Sequence, residues 1–271
     1  MACFLFFMGR LMESVSAYIR YRLSVQSKYS LHSPFIYKFW AEILKDHVRY
    51  PAYLEAGKFR KEMLRDERTI RRLDFGAGPG GSAPRHKTVK VCELAGTSMV
   101  SAAKGEFLYR LVKANQPVSI LELGTSLGLS ALYMSEAVPE AGIITLEGCP
   151  ETAAIARTNF EKSGKKNITV LSGTFDDKLG EALRLIPHPD FVFFDGNHRK
   201  EPTLKYWEEC LPHLHAGSVV VFDDIHWSGE MDEAWKHIIA RSEVKLSIDL
   251  FRMGIIYFRE ELSKEDFVLR F

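Results

Sequence analysis

The chain has 271 residues, 46% apolar and 26% charged, enough for one large domain, or a domain of about 150 residues plus an extension, beneath an ordinary soluble surface. Its net charge of +1 is divided: residues 1–116 carry 20 Lys+Arg against 10 Asp+Glu, and the remainder 16 against 25. A basic N-terminal layer docked on an acidic domain accounts for this without an anionic partner, so nucleic acid is not implied.

Met1–Met8 is apolar through Phe4-Leu5-Phe6-Phe7, too short to span a bilayer, which needs about 20 apolar residues. It has neither a basic n-region nor a small-residue cleavage site, and an amphipathic pattern starting at Met12 makes that residue an alternative start. No later segment is long and apolar enough to cross a membrane. Cys3, Cys92, Cys149 and Cys210 form no Cys-x-x-Cys pair, so neither a zinc ribbon nor a thioredoxin-type site is suggested, and scattered single cysteines fit a reducing cytoplasm.

Residues 12–72 read as helical, with Ser33-Pro34 as a cap residue followed by proline at the first helical position. Lys58–Arg72 reads as a strongly basic helix, 74–88 as a Gly/Pro-rich loop, and 104–115 as a further helix. The rhythm then alternates. Strands are expected at Val118–Leu123, Gly142–Leu146, Asn167–Leu171, Asp190–Phe194, Ser218–Phe222, Val244–Phe251 and Gly254–Arg259. Helices are expected through Ala137 and at Glu151–Ser163, Leu179–Ile186, Glu201–Leu211 and Glu230–Ala240. This predicts an α/β fold: a Rossmann-like, seven-stranded, mostly parallel sheet with helices on both faces. The domain boundary falls between a helical extension, 1–116, and the α/β domain, 117–271. Ligands of such sheets sit outside the carboxyl ends of the strands.

Two glycine motifs compete for that role. Gly76-Ala77-Gly78-Pro79-Gly80-Gly81 matches G-x-G-x-x-G, but a basic helix precedes it, and Pro79 and Pro84 disfavour a helix after it. It reads as a loop, the fingerprint requiring a strand before and a helix after. Leu121-Glu122-Leu123-Gly124-Thr125-Ser126-Leu127-Gly128 has that context. Gly124 and Gly128 permit a tight turn and close approach of a ligand, and the helix N-terminus beyond suits a ligand carboxylate. Glu147 ends the next strand, 23 residues after Gly124, where a carboxylate can accept from two ribose hydroxyls. The same segment spells G-x-S-x-G, the nucleophile elbow of α/β-hydrolases, with Ser126 as nucleophile and Asp195 or Asp224 with His226 or His237 as partners. The helical upstream region and Glu147 go unexplained on that reading.

Residues 118–227 resemble the small-molecule O-methyltransferases of the catechol O-methyltransferase type and the metal-dependent sugar O-methyltransferases. The resemblance runs through Leu121–Gly124, Gly128-Leu129-Ser130, Ile144–Glu147, Gly173–Asp177, Phe194-Asp195 and Phe222–Asp224. The whole chain, including His32-Ser33-Pro34-Phe35, also resembles an uncharacterised bacterial group of methyltransferases dependent on S-adenosylmethionine (SAM). The resemblance implies SAM as cofactor. Glu147 would hold its ribose. Glu122, Gly124, Thr125, Ser126, Gly128 and Ser130 would border its methionine portion, and Gly173, Phe175 and Asp176 its adenine. Asp195, Asp223 and Asp224 fall where metal-dependent members place ligands, with Asp195 also close to the cofactor. The catechol enzymes carry asparagine at the position of Asp224 and lysine at that of His198.

A hydroxyl acceptor must be aligned and lose its proton. His198 is the candidate base with Asp195, the alternative being a surface loop histidine. Three carboxylates suit Mg²⁺ or Mn²⁺, which would lower the hydroxyl pKa, the alternative being strand-end caps or cofactor contacts. His226-Trp227 reads as packing beneath its loop. The expected partner is a small-molecule acceptor, with residues 31–116 covering the site. A non-catalytic SAM-binding protein remains a third reading beside the hydrolase, and homo-oligomerisation is left open.

Overall fold

The computed structural model describes residues 15–27, 32–74 and 85–271. The Met1–Met8 stretch, Met12 and the Gly76–Gly81 motif lie outside these. The chain divides into two compact units, Lys38–Val192 and a second combining the residues up to Tyr37 with Phe193–Phe271.

The Lys38–Val192 unit opens with a π-helical turn, Trp40–Leu44, and helix α3, Pro51–Met63. Helix α3 stops there rather than at Arg72. Asp66 accepts from Arg68 N–H at 2.9 Å, a local turn that competes with further helix. Thr69–Asp74 (β1) and Arg85–Lys90 (β2) then form an antiparallel pair. Opposed Ile70 and Val89 are both buried. The period here is two, and β-branched Thr69, Ile70, Thr88 and Val89 outweigh the helix preference of the surrounding Arg and Lys.

Helices α4 (Val91–Ser98) and α5 (Ala102–Asn115) follow. Ser101 caps α5 by accepting from Lys104 N–H. Helix α5 buries Phe107, Leu108, Leu111 and Val112, each worth about 1.5–3 kcal/mol as apolar surface removed from water. Strands β3 (Ser119–Leu123), β4 (Gly142–Glu147) and β5 (Ile168–Ser172) are parallel, with Leu123 beside Leu146 and Glu147 beside Ser172. They alternate with α6 (Leu129–Ala137), α7 (Pro150–Lys162) and α8 (Phe175–Leu185). Their carboxyl ends therefore present Gly124, Glu147 and Gly173 on one edge.

The other unit carries a helix over 15–24 (α1) and α2, Pro34–Phe39, which begins at the expected proline. Tyr21 of α1 donates its hydroxyl to Leu269 O at 2.6 Å. Strand β6, Phe191–Phe194, spans the unit boundary and is buried throughout, as is β7, Val219–Asp223. Helices α9 (Lys200–Cys210) and α10 (Gly229–Ile239) follow them in turn. Strands β8 (Leu246–Asp249) and β9 (Met253–Tyr257) are the last two strands expected, and they pair antiparallel. Glu265–Val268 (β10) then adds a strand parallel to β8, so the sheet has eight strands rather than seven. Only Phe267 of β10 is fully buried, and so short a segment carries no period for sequence to show.

Candidate functional site

The turn after β3 uses backbone that most residues avoid. Gly124 and Gly128 lie at φ +115° and +94°, with Ser126 between them at +47°. At Gly128 a Cβ would also stand 2.6 Å from the Phe160 ring, so glycine is required there twice over. The N–H groups of Gly124 and Thr125 donate to Leu146 O at 3.1 and 3.0 Å, fastening the turn to the end of β4. Helix α6 then starts, with free N–H groups in its first turn and Ser130 buried within it.

Glu147 completes this half of the site. Its Oε2 accepts from Ser126 N–H at 2.8 Å and its Oε1 from Cys149 N–H at 2.9 Å. Each carboxylate oxygen retains a further lone pair, so two ligand hydroxyls can still be received. Burial raises the carboxyl pKa above its ordinary value, against the two amide bonds and the Arg72 charge. Among the described residues, the buried Ser126 hydroxyl has no hydrogen-bond partner. A polar ligand atom would satisfy it. A nucleophile elbow instead needs a histidine bonded to that hydroxyl, and none is present among the described residues.

Glu122 lies beneath the turn, fully buried. Its Oε2 accepts from Thr145 Oγ1 at 2.5 Å, which leaves Thr145 to accept from Thr125 at 2.6 Å. Burial pushes the Glu122 carboxyl up to about 7. It buttresses the turn from below. Gly173 donates its N–H to Glu147 O at 2.9 Å. Helix α8 begins at Phe175 rather than Leu179, because Thr174 caps it by accepting from Asp177 N–H. Half-buried Phe175 and exposed Asp176 therefore stand together in its first turn. Arg72 is the neighbour that sequence reasoning missed. Its signal was the alternation around Ile70.

The acidic residues belong to the other unit. Phe194 and Phe222 stack at 4.6 Å, so β6 and β7 end side by side. After β6, Asn197 adopts φ +52° and Asp195 Oδ1 lies 3.8 Å from His198 Nε2. After β7, Asp223 is buried and Asp224 sits at φ +51°. Asp224 N–H donates to Arg252 O at 2.6 Å, and its Oδ1 is 3.5 Å from Arg252 Nη1. His226 Nδ1 lies 2.8 Å from Asp232 Oδ1 and its Nε2 2.7 Å from Asp249 Oδ2. Burial alone would lower its pKa, but the two carboxylates raise it. With both ring nitrogens held and the ring stacked on Phe251, His226 anchors the loop.

Among the described residues, no three His, Cys, Asp or Glu side chains form a group that could hold a metal ion. Asp195, Asp223 and Asp224 are thus not brought together as a ligand set. Nor, among the described residues, is any helix long and apolar enough to cross a membrane.

The O-methyltransferase family model matches residues 83–263. A catechol O-methyltransferase of Niastella koreensis is 31% identical over 141 residues, covering 49% of this chain and 60% of that protein. One of Mycobacterium tuberculosis is 31% identical over 145 residues, covering 50% and 62%. The chain thus spans about three fifths of these relatives' lengths. The crystal structure of a Podospora anserina methyltransferase bound to S-adenosylhomocysteine superposes with a TM-score of 0.58 at 18% identity, over 87% of this chain and 100% of that one. That likeness shows the Rossmann-like fold.

Proposed function

Because this chain belongs to the O-methyltransferase family, we propose that it transfers a methyl group from SAM to a hydroxyl of a small molecule. The observation that carries the reading is the turn around Ser126. It combines two positive-φ glycines, a buried hydroxyl without a partner, and a carboxylate with lone pairs to spare. These donors and acceptors suit the amino-acid and ribose parts of SAM, with Phe175 and Asp176 bordering the base. Both relatives above are named catechol O-methyltransferases.

When bound, SAM supplies a methyl carbon already activated by its sulfonium. The chain holds it, aligns the acceptor oxygen behind that carbon, and accepts the acceptor's proton. His198 takes that proton in this reading, and Asp195, 3.8 Å away, stabilises the imidazolium formed. No step uses a divalent cation. The covering of the site by residues 38–116 belongs to the same proposal. It is supported by the hydrogen bonds of β1 to Cys149 and Glu151, just past Glu147. A cytoplasmic location rests on Cys92, Cys149 and Cys210, which are free thiols.

Calorimetry tests the central claim. SAM and S-adenosylhomocysteine should both bind, and Glu147→Ala should weaken both by about 1.5–3 kcal/mol, the worth of hydrogen bonds to a charged group. Absence of binding by the intact chain would remove the reading. Labelling of Ser126 by a fluorophosphonate would install the hydrolase in its place.

A further inference from the structure

The β1–β2 hairpin holds an arrangement that methyl transfer does not by itself require. Arg72 stands directly opposite Lys87. Ile70 and Val89 form the next pair on the same face, and both are buried, while Arg72 is half-buried and Lys87 exposed. Directly opposed residues lie about 5 Å apart at Cβ, and like charges there repel. Among the described residues, neither side chain makes a hydrogen bond or an ion pair. Nearby cations are paired: Arg68 with Asp66 at 2.6 Å and Lys90 with Glu67 at 3.7 Å.

The hairpin's place is fixed. Arg71 N–H donates to Glu151 Oε2 at 2.7 Å and Leu73 N–H to Cys149 Sγ at 3.3 Å. Arg72 therefore sits beside the end of β4, close enough for its charge to act on Glu147. Glu147 cannot neutralise both cations: it brings one charge, and both its oxygens already receive amides. SAM cannot either, since its sulfonium and ammonium outnumber its carboxylate. The acceptor is the ligand left to supply the counter-charge. A carboxylate would offset one cation. A phosphate monoester carries about −1.5 to −2 at neutral pH and three acceptor oxygens. Arginine's planar fork takes two of these and a lysine ammonium the third.

We propose that Arg72 and Lys87 bind the phosphate group of a phosphorylated acceptor, making the substrate a phosphomonoester that also carries a hydroxyl. The word acceptor rests on the methyl-transfer reading above; the anion site itself does not.

Inorganic phosphate titrated into the full chain at low ionic strength is the first test. Wild type should bind it. Arg72→Gln and Lys87→Gln should each weaken binding about tenfold or more, and Lys90→Gln should not. Lys87→Gln removes a repulsion, so its Tm should not fall and a folding defect will not obscure the result. The second test supplies labelled SAM with a metabolite extract before and after alkaline phosphatase. Product should disappear after phosphatase, and inorganic phosphate should compete with the acceptor. Absent phosphate binding, binding indifferent to both substitutions, or phosphatase-resistant turnover would each overturn the proposal. Tighter binding of a random-sequence RNA oligonucleotide with the same Arg72 and Lys87 dependence would overturn the small-molecule acceptor in favour of nucleic acid. SAM titration separates the two readings: SAM binding without phosphate binding removes only this one, and the reverse removes only methyl transfer.

Discussion

The loops after β3 and β7 follow strands of the same kind, apolar and buried, yet they handle their polar groups in opposite ways. After β3 the backbone does most of the work: glycines at positive φ, amides on Glu147, and a serine hydroxyl with nothing to bond. After β7 the side chains are already engaged, Asp224 by Arg252 and His226 by two aspartates. The first loop leaves hydrogen-bonding groups available to a ligand. The second is a network satisfied from within. The difference separates what should respond to cofactor from what should mainly respond to stability.

The sharpest way to break this contrast is Gly128→Ala. The new Cβ must adopt φ +94° and meet the Phe160 ring at 2.6 Å. Left-handed backbone costs about 1–2 kcal/mol for an ordinary residue, and overpacking about 1–3 kcal/mol more. Thermal unfolding should fall accordingly, and SAM affinity should fall further because α6 is displaced. A variant with unchanged Tm would mean the turn relaxes freely and is not preformed.

Next in size is the pH response of Glu122. Its folded pKa, about 7, lies above its ordinary 4.5 because the charged form is buried. The folded state therefore binds the proton more tightly than the unfolded one. The resulting stability is fully present below about pH 4.5 and is lost as pH rises through about 7. A shift of that size corresponds to about 3 kcal/mol. Glu122→Gln should abolish that slope while retaining an acceptor for Thr145. A denaturation series from pH 5 to about pH 8 reads the difference. An unchanged slope in the variant would place the titration elsewhere.

The two loops were not equally legible from sequence. Gly124, Gly128 and Glu147 were readable because each follows a strand whose apolar run is unmistakable, and parallel register does the rest. The acidic loop was readable as residue types but not as partnerships. Arg252 lies 28 positions from Asp224 and reaches it only because β9 returns beside β7, with Met253 opposite Asp223. Most of strand β1 falls within the segment that reads as a basic helix, because arginine and lysine favour helices when packing does not decide, and most of β2 within the segment that reads as a Gly/Pro-rich loop. Buried Ile70 and Val89 carried the opposite message in only two residues. Strand β10 gave still less, with only Phe267 fully buried.

The smallest expected effect concerns Asp224 and any cation. Arg252 is 56% exposed at its side chain, so its 3.5 Å pairing with Asp224 is worth at most about 1 kcal/mol. That is weak enough for a divalent ion to displace. Asp195, Asp223 and Asp224 are not gathered as ligands. Turnover that survives EDTA would leave this pairing in place, and Arg252→Ala should then leave the Tm nearly unchanged. If EDTA instead abolishes turnover and Mg²⁺ restores it, Asp224 must exchange Arg252 for the ion. Arg252→Ala would then tighten Mg²⁺ binding by removing the competitor, and the loop after β7 would join the loop after β3 as one that waits for a ligand.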